Sequence, residues 1–151
     1  MTEKINFVRL PWLLLFLFFL GKLIVGAAGG SYELSNRLFA MVPLTIHLCI
    51  VWGALTKAQK RQGIGSAAVT GFLIAVFAQT LILVGTVVPY TVGIETPFTN
   101  PVAIVGQSRP LTMGEILGGR IGGLVVNSII GMLAATIGWL LGSLIPSPRH
   151  V

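Results

Sequence analysis

The sequence points to an all-α integral membrane protein, a bundle of four transmembrane helices, on three observations. Hydrophobic residues make up 54% of the 151-residue chain against 9% charged, and the mean hydropathy is +0.92, beyond the usual range of a water-exposed domain. Four apolar stretches approach or exceed the roughly 20 helical residues that a hydrocarbon core of about 30 Å requires. Lys and Arg gather between and beside those stretches, most densely at Lys57, Lys60 and Arg61, where topology-setting charges belong.

The first span covers residues 10–29, an uninterrupted aliphatic and aromatic run that meets Lys22 before a glycine-rich exit. Lys4 and Arg9 ahead of it and Val25-Gly26-Ala27 near its end have the outline of a signal peptide, but the segment is expected to remain as a helix. The second span, 38–55, is short and carries Pro43 near its start, where a missing N–H is tolerated. The third is 67–89. The fourth lies within 113–145; a single helix from Thr112 to Ile145 would be about 51 Å long, so its first turns should stand outside the hydrocarbon. Thr112 and Glu115 have the spacing of a capping box, with Pro110 just ahead.

The four spans form a single membrane domain over 1–151, with an outside loop at 90–111. Pro97, Pro101 and Pro110 mark that loop as an ordered cap. Placing the N-terminus in the cytoplasm puts six Lys or Arg there (Lys4, Arg9, Lys57, Lys60, Arg61, Arg149) against three outside (Arg37, Arg109, Arg120), so both termini are expected in the cytoplasm. Short loops with this bias fit a bacterial plasma membrane. The net charge of +6 then reads as a topology signal, and no nucleic-acid partner is expected.

In lipid, helices associate through close packing of small residues. Asn127, Gly131, Ala134, Ala135, Gly138 and Gly142 share one face of the fourth span, and Gly114, Gly118 and Gly122 continue the series upstream. Ala68, Gly71, Ala75, Ala78, Gln79 and Thr86 form a stripe on the third. Such stripes serve either the chain's own bundle or a contact with another subunit or a second copy.

Polar side chains inside hydrocarbon cost roughly 2.5 to 3.5 kcal/mol when charged, so each needs an explanation. At 1.5 Å per residue from the cytoplasmic end, Lys22 and Gln79 lie about 18 Å deep, His47 about 12 Å and Asn127 about 21 Å. This suggests one intramembrane layer. Lys22 is close enough to the outer end to snorkel its ammonium to the interface. Gln79 and Asn127 fit interhelical hydrogen-bond glue. His47, taken with Ala40, Pro43 and Ala54 as a protein-facing strip, could bond a carbonyl or Gln79, or bind haem or a quinone. One His cannot supply both axial ligands of a typical electron-transfer haem, so a haem would need a second subunit. Cys49 reads as a small apolar residue, Trp12, Trp52 and Trp139 as an interfacial belt, and Glu33 with Arg37, at a four-residue spacing that allows an ion pair if the segment is helical, as solvated decoration.

With four Glu, no Asp, one Cys and two His, metal clusters, carboxylate dyads and disulfide frameworks have almost nothing to be built from. A Ser128–His47 pair of rhomboid type would need geometry the helical wheel does not favour, so no enzyme is expected. The expectation is a non-catalytic subunit or assembly component of a larger membrane complex. Two alternatives stand beside it: a homo-oligomeric channel or transporter for a proton or small solute, and a haem- or quinone-binding redox subunit using His47.

Overall fold

A computed structural model describes residues 2–144, with side chains from residue 6 onward. All regular structure among them is helical: α1 (Thr2–Ala27), α2 (Tyr32–Leu38), α3 (Met41–Ala58), α4 (Ile64–Thr91), α5 (Pro101–Val105) and α6 (Met113–Gly142). Four segments are long and apolar enough to cross a membrane: Asn6–Ala27, Tyr32–Ala58, Ile64–Thr91 and Met113–Gly142. The tail residue Arg149, counted among the cytoplasmic charges, lies outside the described residues.

Prolines set the boundaries and one internal contact. Pro43 sits in the first turn of α3, where backbone N–H groups have no intrahelical acceptor, so the long helix starts at Met41 and the preceding turns separate as α2. Pro11 lies inside α1 and cannot donate to the carbonyl of Phe7. The indole of Trp52 on α3 donates to that Phe7 oxygen instead, at 2.7 Å. The expected capping box is present: Glu115 N–H donates to Thr112 Oγ1 and Thr112 N–H to Glu115 Oε2, with Arg109 closing on the same carboxylate at 2.5 Å.

Helices α3, α4 and α6 form the tight centre, and α1 packs mainly against α4. Glycine sets the approach. A Cβ on Gly138 would lie 2.7 Å from the Ile50 carbonyl carbon and one on Gly142 2.5 Å from the Ala54 oxygen, while Gly53 abuts the Ala135 carbonyl from the other side. One on Gly131 would meet the Ala75 Cβ at 2.6 Å. The C-terminal part of the α6 stripe is therefore consumed by contacts within the chain. A Cβ on Gly114, Gly118 or Gly122, by contrast, would meet nothing within 4 Å.

The Tyr90–Leu111 connection folds back over one end of the bundle, the loop end. Gly93, in the left-handed region at φ 69°, turns the chain out of α4. Phe98 then inserts between the helices, 3% exposed, with its ring 5.2 Å from that of Phe19. Its carbonyl accepts from Thr86 Oγ1 at 3.2 Å.

Candidate functional site

The four residues expected in one polar layer occupy three separate places. Gln79 and Asn127 line one small gap together with Thr45 and Ile46, with no hydrogen bond between the two amides among the described residues. Asn127 returns its amide to the Gly123 carbonyl at 2.8 Å. Gln79 Nε2 and the neighbouring Ser128 Oγ are buried with no hydrogen-bond partner among the described residues.

His47 is not with them. It is exposed on the outer face of α3, where its Nδ1 bonds the Pro43 carbonyl at 2.7 Å. The expectation that its face turns inward is corrected by the packing of small residues: Cys49 and Gly53 provide the close approach to α4 and α6, which rotates His47 outward. Cys49 itself is fully buried, as a small apolar residue would be.

Lys22 also departs from expectation. Instead of extending to the surface it is 7% exposed, turned inward to the loop end. Its ammonium donates to Asn36 Oδ1 at 3.1 Å and lies 5.1 Å from the centre of the Phe98 ring and 5.6 Å from that of Tyr32. The aromatic faces make this orientation favourable for a cation. Arg120 of α6 comes to the same residue from the other side. Its Nη2 donates to the Phe98 carbonyl at 2.6 Å and its Nη1 to that of Ala103 at 3.4 Å, while its Nε is buried without a partner among the described residues.

These groups line a cavity of about 230 Å³ where all six helices and the connection converge, with Val42 and Pro43 on one wall. None of the lining residues is acidic. The carboxylates at this end are elsewhere: Glu115 holds Arg109 and Thr112, and Glu33 and Glu95 are exposed. Among the described residues no ion pair joins Glu33 to Arg37. A wider cavity of about 410 Å³ lies under the connection, edged by Tyr90, Glu95 and Leu111, and there Tyr90 Oη donates to the Leu111 carbonyl at 2.7 Å.

No spacing in the sequence groups Lys22 with Arg120, Tyr32, Asn36 and Phe98, which lie on four different segments. Nor does any local pattern reveal that the three tryptophans act as cross-links. Trp12 donates to Leu73 at 3.3 Å, Trp52 to Phe7, and Trp139 to Gln62 at 2.8 Å, each to a backbone carbonyl on another segment. Lys57 further stacks on Trp139, 4.2 Å from its ring centre. Neither a family model, a curated protein nor a solved structure matches this chain.

Proposed function

We propose that the chain is a small polytopic protein of a plasma membrane, both termini cytoplasmic, acting as a non-catalytic component of a larger membrane assembly. The observation that carries this reading is the division of α6. Beyond residue 130 its glycines are in contact with α3 and α4, whereas Gly118 and Gly122 share an exposed strip with Ile121, Val125 and Ile129. A helix that already uses glycine for close approach on one face offers the same chemistry on another, and a partner helix can approach an α6 backbone bare of side chains. Cross-linking tests this: Gly118→Cys or Gly122→Cys, treated with a bis-maleimide in the native membrane, should yield a product of the 16.0 kDa chain with itself or with another polypeptide. Recovery of uncross-linked monomer alone, with native mass spectrometry also finding only monomer, would refute it.

A redox role has one specific support. The Pro43 carbonyl orients the His47 ring through Nδ1, leaving Nε2 facing outward with no bond among the described residues. A neutral ring that donates from Nδ1 presents its Nε2 lone pair, which suits a haem iron shared with a partner or the hydroxyl of a reduced quinone. A reduced-minus-oxidised spectrum of the complex that shows no haem band, together with unchanged quinone content in His47→Ala, would remove this reading.

A further inference from the structure

We propose that Lys22, Arg120, Tyr32 and Asn36 form a binding site for a phosphate-type oxyanion at the loop end of the bundle. The inference is independent of the docking face on α6. It begins from an imbalance of charge. Lys22 is buried and Arg120 half-buried around one cavity, both are engaged with Phe98, and neither has an acidic partner among the described residues. Two like charges withdrawn from water without a counter-charge are costly, and a negative group between them removes that cost.

The hydrogen-bonding inventory specifies what the group must be. An ammonium has three donors and a guanidinium five, with no acceptor on either. Lys22 uses one on Asn36; Arg120 uses two on the carbonyls of Phe98 and Ala103, which leaves one hydrogen on each Nη for a ligand, while its Nε is enclosed away from the cavity. Asn36 turns its oxygen to Lys22, which leaves its amide hydrogens to donate, and the Tyr32 hydroxyl has no hydrogen-bond partner among the described residues. The unused capacity at the site is thus dominated by donors. A ligand with several charged oxygens satisfies it, and a cation or an apolar molecule does not.

Size narrows the class further. A cavity of about 230 Å³ is below the roughly 300 to 1,000 Å³ of drug-sized sites and accommodates a single small oxyanion with some water. A haem or a nucleotide does not fit within it. Two sources provide this chemistry: free inorganic phosphate, and the phosphodiester of an anionic phospholipid whose chains continue along the exposed Val42 and Pro43 of α3.

The test uses the full chain in mild detergent. Native mass spectrometry compares adducts of dioleoylphosphatidylglycerol with those of dioleoylphosphatidylcholine, and thermal unfolding is followed in sodium phosphate against sodium chloride at matched ionic strength. Preferential retention of phosphatidylglycerol identifies a lipid phosphodiester; protection by phosphate without that preference identifies the free anion. In either case Lys22→Met and Arg120→Gln should weaken binding by roughly ten- to a hundredfold, the loss expected for a charge-assisted bond. Because Arg120 also ties down the connection and Asn36 holds the Lys22 ammonium, Tyr32→Phe provides the second readout, weakening binding by about three- to tenfold with melting of the ligand-free chain little changed. Absence of both preferences, or binding by Tyr32→Phe and Lys22→Met equal to that of the original chain, would overturn the site.

Discussion

Trp52→Phe removes the indole donor that serves the Phe7 carbonyl, and its cost should depend on residue 11. With Pro11 in place, Phe7 oxygen has no helical donor, so the 2.7 Å bond from Trp52 Nε1 is its replacement. Losing that bond leaves a part-buried acceptor unsatisfied, at about 1–3 kcal/mol, and the smaller ring adds a cavity cost. In a Pro11→Ala background the alanine N–H can complete the bond to Phe7, so the acceptor is no longer orphaned when Trp52 is changed. The cavity cost is common to both backgrounds and cancels in the double-mutant cycle. A coupling of about 1 kcal/mol or more is therefore expected, with Trp52→Phe less damaging in the Pro11→Ala background than in the original chain. Reversible unfolding in mixed micelles, followed by far-ultraviolet circular dichroism, measures all four corners without depending on tryptophan emission. Equal costs in the two backgrounds, within about 0.5 kcal/mol, would show that the indole does not stand in for the missing helical bond.

Gly138→Val should be among the most damaging single changes to the isolated chain. A Cβ there lies even closer to the Ile50 carbonyl oxygen than to its carbon at 2.7 Å, so α3 and α6 must separate by well over the roughly 0.7 Å that would bring the carbon alone to an ordinary contact, enough to forfeit at least a quarter to a half of the dispersion energy across that contact. A loss of about 1–3 kcal/mol in the same unfolding assay is expected, whereas Gly118→Ala, with open space at its Cβ, should be neutral or stabilising; equal effects of the two would refute the assignment of the tight face. His47→Ala should change stability by less than about 0.5 kcal/mol because the ring is exposed and bonds only its own helix, and a loss of several kcal/mol would place His47 in the interior after all.

The helices and the Thr112–Glu115 cap were legible because hydropathy and capping are local properties of the chain. The orientation of each helix about its axis was not. In a helix whose buried and exposed faces are both apolar, as with Leu48 inside and Val51 outside on α3, there is no polar side to point outward. The small residues must decide, and α3 offers two candidate strips: Ala40, Pro43, His47 and Ala54, or Cys49 and Gly53. Only the fit of Gly53 to the Ala135 carbonyl and of Cys49 to Gly71 selects the second. Lys22 was misplaced for a related reason: snorkelling is a property of the side chain alone, whereas Phe98, Tyr32 and Asn36, which draw it inward, arrive from 10 to 76 residues away in the chain.

With so few polar side chains, where each spends its hydrogen bonds separates structure from candidate function. Thr45, Thr56 and Thr70 return their hydroxyls to the carbonyl four residues earlier and are largely silent, whereas Thr86 also reaches the Phe98 carbonyl. The tryptophans join one segment to another but have no donor left over, which makes them staples. Gln79 and Ser128 keep an unused polar atom, yet the gap beside Gln79 has no room for a water-sized group and its lining carries no charge. Among the described residues, Arg120 joins segments, keeps Nη hydrogens to spare and lines a cavity shared with a second cation. A structural role accounts for its bonds to Phe98 and Ala103. It does not account for placing Lys22 beside it without an acid, and that unneutralised pair is why an anion, rather than the glycine stripe or His47, has the strongest claim on this end of the protein.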